Sequence, residues 1–247
     1  MEVLPLKPVK IMDNYKSGNK LLDVNAIIGS MNFTSSYSEV ILKYINLMKI
    51  ICLPRILTFN DPRLSAEMIL KLLSPYTKKF QVIDLSYMPN LLVSDIIKKA
   101  PNLESIEIHN DESNIIYEKT WIEDLLKYKN GKNFTNLDVI LGALEFDVEN
   151  FVKFVETKCS KSITIKIWFR RDLLNEDNEA YNLIIEKLSK YFDSKNVKDS
   201  WLMIGFPGGE RCEMFSLNKI KHPKGTDFKS EKEAKSNWKN LCCLSSH

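Results

Sequence analysis

Six short stretches of the chain repeat one arrangement of apolar positions. In each, positions 1, 4 and 6 of an extended segment are mostly apolar. The sets are Leu53, Ile56 and Thr58; Phe80, Ile83 and Leu85; Leu103, Ile106 and Ile108; Phe134, Leu137 and Val139; Ser162, Ile165 and Ile167; and Trp201, Ile204 and Phe206. Their starts lie 27, 23, 31, 28 and 39 residues apart. A period of about 20–30 residues that stretches along the chain marks stacked units with insertions, each contributing one strand.

Between these stretches the apolar period changes from 2 to 3.6, the spacing of a helix face. Asp61-Pro62 fits an N-cap and first-turn proline ahead of Met68, Ile69, Leu72 and Leu73. Asn90 to Lys99 reads as a short helix stopped by Pro101. Thr120 and Glu123 have the spacing of a capping box. Asp147 can cap a helix whose Val148, Phe151, Val152 and Val155 share one side, and Ile184, Leu188 and Tyr191 mark another. Before all of these, Ser38 to Ile51 places Val40, Ile41, Tyr44, Ile45 and Met48 on one helical face.

Helix and strand alternating in this way require crossover connections and therefore a parallel sheet. Two α/β architectures satisfy that requirement. The spacing favours an irregular leucine-rich-repeat-like solenoid of about six helix-strand units; the other is an open doubly wound sheet with helices on both sides. In the solenoid, positions 5 and 7 look away from the core. They are Asp84, Ser86, Glu107, His109, Asp138, Lys166 and Trp168, joined by Met203 and Gly205 of the last strand. A rigid row of mixed charge suits a protein partner better than a uniform polyanion.

Charge sharpens this division. The net charge of the 247 residues is +3, yet residues 218–247 alone hold seven lysines against three acids, which leaves residues 1–217 at −1. The chain thus reads as a segment 1–50, a helical cap; a recognition domain 51–217; and a lysine-rich tail 218–247. The tail supplies the alternative function, binding of nucleic acid or an anionic surface. The five cysteines (52, 159, 212, 242 and 243) are odd in number and lack a CxxC pair, which predicts free thiols in a reducing, intracellular compartment, cytoplasmic or nuclear. No signal-peptide pattern opens the chain and no apolar run reaches the ~20 residues of a membrane helix, so no membrane is expected.

The chemistry-bearing motifs are sparse. Gly205-Phe206-Pro207-Gly208-Gly209 precedes Glu210-Arg211-Cys212 and not a Lys-Ser/Thr pair, so it predicts the turn of an edge hairpin and not a phosphate cradle. His109, His222 and His247 match no zinc spacing. The NFT triplets at Asn32 and Asn133 are chance matches in an intracellular protein. No cofactor, metal or catalytic set is expected; an enzyme on a doubly wound sheet would place its site near His109 or the Gly205–Gly209 loop. Trp168, beside Phe169, Arg170 and Arg171, is the strongest single contact candidate.

The segment FQVIDLSYMPNLLVSDIIKKAPNLESIEIHN (80–110) resembles the degenerate leucine-rich repeats of F-box proteins. KSITIKIWFRR (161–171) and WLMIGFPGGERCEMFSL (201–217) resemble the F-box-associated region of the expanded nematode F-box families. The resemblance covers about residues 50–217. It implies a substrate-recruiting subunit of a cullin-based ubiquitin ligase, in which the repeats hold a protein target and an N-terminal F-box grips an adaptor subunit. The F-box itself departs from pattern: Leu4-Pro5 runs into Lys7-Pro8 and a polar stretch, and the first tryptophan is Trp121. Leu21 to Ile51 is thus expected to be a helical cap or a divergent F-box, and no site residue is carried over from the family.

Overall fold

The computed structural model describes residues 26–34, 51–60, 64–84, 91–109, 115–175, 178–194, 199–208 and 211–221. In chain order the elements are β1 (Ala26–Thr34), β2 (Ile51–Asn60), α1 (Ala66–Leu72), β3 (Lys79–Asp84), β4 (Leu91–Leu92), α2 (Val93–Lys99), β5 (Ser105–Ile108), β6 (Ile115–Ile116), α3 (Trp121–Tyr128), β7 (Phe134–Leu141), α4 (Val148–Lys158), β8 (Cys159–Phe169), α5 (Asn178–Tyr191), β9 (Trp201–Gly205) and β10 (Cys212–Ser216). A short 3₁₀ turn, Arg171–Asn175, leads from β8 towards α5.

Eight strands form one sheet in the order β1-β2-β3-β5-β7-β8-β9-β10, while β4 and β6 pair separately. Every neighbouring pair from β1 to β9 is parallel, and β10 alone closes antiparallel on β9. The order follows the chain with no reversal. The described sheet therefore has no switch point of the kind at which doubly wound sheets bind ligands. With right-handed crossovers, such an order puts the helices on one side, and each helix packs on the next along that side.

All six repeating stretches lie in or lead into strands of this sheet, but the 1-4-6 pattern names the inward residues correctly only in part. In β5 the strand starts at Ser105, so Leu103 precedes it and the bend lets Leu103, Ile106 and Ile108 all enter the core. In β7 the register shifts between Phe134 and Asn136, with the same result for Phe134, Leu137 and Val139. Where the strand runs straight, positions 1 and 4 must face opposite ways, because side chains alternate with period 2. Hence β2 buries Leu57 and Phe59, β3 buries Phe80 and Val82, β8 buries Ile163 with Ile165 and Ile167, and β9 buries Leu202 and Ile204. Ile83, expected inside, is 42% exposed.

The core is a single cluster between the inward strand row and the helices. Aromatic rings stitch it across the strands: Phe33 stacks on Phe59 at 5.4 Å between centroids, Phe59 meets Phe80 at 5.7 Å, and Phe169 meets Phe206 at 5.8 Å. Asp147 caps α4 as expected, Oδ1 accepting from the Asn150 amide at 2.9 Å. Ser65 caps α1 by accepting from Met68 N at 3.2 Å, while Asp61-Pro62 falls outside the described residues. Thr120 precedes α3 but its hydroxyl makes no capping bond, so the capping box does not form.

The segment 1–50 was expected to be helical, yet Ala26–Thr34 is strand β1, paired along its length with β2. It adds to the eight-stranded sheet and does not stand apart from it. The expected helix over Ser38 to Ile51 lies outside the described residues up to its last position, and Ile51 begins β2.

At the strand N-termini, side chains tie each connecting loop to the one before it. Thr77 Oγ1 donates to the Pro54 carbonyl at 2.9 Å, Asn102 Nδ2 to the Pro75 carbonyl at 2.9 Å, and Asn130 Nδ2 to Asn102 Oδ1 at 3.3 Å. Lys158 Nζ donates to the Lys129 carbonyl at 2.6 Å. These bonds span 23 to 29 residues, the interval of the repeat itself.

Candidate functional site

The sheet face opposite the helices carries three registered rows of side chains. The first runs Ile56, Lys79, Ser105, Asn136, Thr164 and Trp201; the second Thr58, Gln81, Glu107, Asp138, Lys166 and Met203. The third brings Ile140 beside Trp168 and Trp168 beside Gly205, with His109 following β5. Of the residues expected to face outward, Glu107, His109, Asp138, Lys166, Trp168 and Met203 therefore share this face. Asp84 ends β3 in register with Asn60, and its side chain is not described; Ser86 lies outside the described residues. Gly205 is on the face but buried: a Cβ there would stand 2.2 Å from the Arg211 carbonyl oxygen. It serves the close approach of the β9–β10 turn and presents nothing to a ligand.

The middle of the face is an interlocked polar patch. Lys79 pairs with Glu107 at 2.7 Å, and the same Glu107 Oε1 accepts from Ser105 Oγ at 3.1 Å and Asn136 Nδ2 at 2.7 Å. Burial pushes the Glu107 carboxyl up, but the Lys79 bond and charge, with those two donors, outweigh it and hold the group below its ordinary value. Lys166 lies 3.1 Å from Asp138 Oδ2, and His109 Nε2 stands 3.9 Å from that oxygen, beyond hydrogen-bond reach. Asp138 is only 4% exposed, and its Oδ1 and the Tyr117 hydroxyl are both buried without a hydrogen-bond partner among the described residues. Burial and then the Asp138 charge push the Tyr117 phenol up.

Beside this patch, over β8, β9 and β10, the face turns apolar. Trp168, Trp201, Met203 and Met214 occupy neighbouring register positions, Met214 directly opposite Met203 and 37% exposed. None of the four belongs to the core cluster. At a strand spacing of about 4.8 Å, three strands give a platform about 10 Å wide, edged by the Lys166 ammonium. Trp201 and Met214 were missed from the sequence. Trp201 holds position 1 of its stretch and so read as an inward residue, and Met214 follows a turn of undetermined length. The straightness of β9 is the signal that would have placed Trp201 outside.

The rest of the described surface offers less chemistry. No group of three or more His, Cys, Asp or Glu among the described residues could hold a metal ion. No helix there is long and apolar enough to cross a membrane. Gly205 ends β9 and Phe206–Gly208 lead away from it towards the antiparallel β10, in keeping with the edge hairpin expected of this stretch; Gly209 lies outside the described residues. Asn133 has its side-chain amide committed to Glu104 Oε1 at 2.9 Å. Neither a protein-family model, nor a curated protein, nor a solved structure matches this chain.

Proposed function

We propose that the chain is a protein-recognition module, an irregular solenoid whose sheet face opposite the described helices docks a protein target. The observation that carries this reading is the Trp168, Trp201, Met203 and Met214 platform beside a rigid, mixed-charge patch. Interfaces concentrate their energy in a few aromatic and methionine anchors surrounded by polar rims, and this face has that composition. The sequential strand order and the loop-to-loop bonds at the repeat interval support the solenoid half of the reading. The interlocked Glu107, Asn136 and Lys79 side chains are ordered before any partner arrives, which lowers the entropy cost of docking. On the resemblance to F-box-associated regions, the particular role is that of the substrate-recruiting subunit of an intracellular cullin-based ubiquitin ligase, with an adaptor subunit as a second partner.

Affinity purification of tagged full-length protein, with a face variant (Lys166→Glu, Trp168→Ala, Met203→Ala) and an off-face variant (Lys98→Glu, Lys153→Glu) alongside, tests the reading. A target retained by the wild type and the off-face variant, but weakened about tenfold or more by the face variant, supports it, since a tryptophan anchor contributes about 2 kcal/mol. A set of captured proteins indifferent to the face variant refutes it. The ligase role has its own arm: a cullin-ligase adaptor recovered with the full chain supports that role, whereas a target captured without any adaptor removes it.

A further inference from the structure

A second surface lies away from that face, at the N-terminal ends of β8 and β9. A cleft of about 650 Å³ opens there between α4, β8 and the chain following β10. Its apolar lining comes from Val155, Ile163 and Leu217, all buried, with Ile220 partly so. Around it stand Lys132, Lys161 and Lys219, three exposed lysines from separate parts of the chain. None of the three takes part in an ion pair among the described residues, whereas Lys78, Lys79, Lys166 and Lys221 are each matched to a carboxylate. Like charges brought to one concave site repel one another, and an anion seated between them reverses that cost.

We infer that this cleft binds a short acidic peptide segment that carries an aliphatic side chain, the carboxylates meeting Lys132, Lys161 and Lys219 and the aliphatic group the Val155–Ile163–Leu217 surface. Three observations select a peptide over other anions. Among the described residues no aromatic ring or arginine lines the cleft, so they offer none of the stacking groups with which proteins hold single-stranded nucleic acid. Glu156 is part of the lining, and its carboxylate opposes a uniform polyanion but not a peptide of mixed sequence. The chain's own continuation past Lys221 carries five lysines against three acids, a poorer electrostatic match to three lysines than an acidic peptide. Lys129, whose charge is felt at Cys159 in the cleft wall together with that of Lys132, adds to the positive potential.

The test is fluorescence anisotropy with full-length protein at about physiological salt, using a short fluorescein-labelled peptide that alternates aspartate with isoleucine. Saturable binding is expected, with a loss of about tenfold or more in the Lys132→Glu, Lys161→Glu, Lys219→Glu variant. A Lys98→Glu, Lys153→Glu, Lys190→Glu variant carries the same net charge away from the cleft and is expected to stay within about twofold of wild type. Replacing the peptide's isoleucines by asparagine is expected to abolish saturation. Equal weakening by both triple variants, tighter binding of an oligothymidylate of equal charge, or no dependence on isoleucine each overturns the assignment. All six lysines are at the surface, and a thermal melt of each variant confirms folding. The cleft variant leaves the tryptophan–methionine platform intact, so failure here and failure of the face reading are separable.

Discussion

Lys129 is a buried cation without a carboxylate partner, and replacing it with methionine tests what its burial costs. The side chain is 1% exposed and lies under the loop that leads into β7. Its ammonium donates to the Asn130 carbonyl and, at 2.6 Å, to Asn133 Oδ1, with no ion pair among the described residues. Burial, then the Lys78 charge, pulls it down from 10.5 to about 8, with Glu104 opposing and Lys158 reinforcing. A group whose native value is depressed in this way is protonated more readily in the unfolded chain. Stability therefore rises with pH between about 8 and 10.5, the window in which only the unfolded state still holds the proton. A depression of that size is worth about 3 kcal/mol in full, and most of it is realised by pH 10. At pH 7 the Lys129→Met variant loses two hydrogen bonds but sheds a buried charge, so it should lie within about 1 kcal/mol of wild type. Urea unfolding of both proteins at pH 7, 8, 9 and 10 provides the comparison, and taking their difference cancels the titration of all other groups. Wild type should gain on the variant by roughly 2 to 3 kcal/mol across that range. A difference that stays flat with pH would show that Lys129 is not held in a costly charged state.

Two further outcomes follow from backbone geometry. A Cβ at Gly205 would lie 2.2 Å from the Arg211 oxygen and 2.8 Å from Cys212 Cα, both backbone atoms, so Gly205→Ala should cost more than about 3 kcal/mol in urea unfolding and release the β10 amides to hydrogen exchange. The two helix caps should separate cleanly: Asp147→Ala removes a real capping bond and should cost about 1 kcal/mol, while Thr120→Ala removes none and should stay within about 0.5 kcal/mol. Equal losses at both positions would contradict the capping assignment.

Much of this fold is readable from spacing, and the misreadings share one cause. The alternation of 2-period and 3.6-period stretches located six of the seven parallel strands and the helices between them, because burying one face of each element leaves a periodic record. That pattern cannot report whether a strand is straight. Trp201 was assigned inward on the strength of its spacing from Ile204, and in the unbroken β9 that spacing turns it outward; Ile83 falls at a register shift in β3, where Val82 faces Phe59 but Asp84 faces Asn60, and it is exposed. β1 carries Gly29, Ser30 and Asn32, which break its apolar alternation, and what holds it in the sheet is pairing with β2, a long-range effect no local window contains. Of the outward row, Glu107, Asp138 and Lys166 were legible because they occupy strands whose bends or register were compatible with the pattern. The Lys132–Lys161–Lys219 cleft was not legible at all, since its members are 29 and 58 residues apart and only the fold brings α4, the start of β8 and the chain following β10 together.

A sheet laid down in chain order is also a sheet that can grow. Each interior strand touches only the units immediately before and after it, and the loops are pinned by the same neighbour-to-neighbour bonds. Duplicating one strand-helix unit, such as β5 with α3, would insert a layer whose two new boundaries repeat a boundary that already exists. Each such insertion would widen the face opposite the described helices by about 4.8 Å without moving the tryptophan–methionine platform relative to its own strands. The antiparallel β10 sets the one direction in which this cannot proceed, because the hairpin return consumes the edge on which a further crossover would have to land. Lineages of this chain should therefore vary in length by whole units ahead of β8 and keep the β8–β10 end fixed.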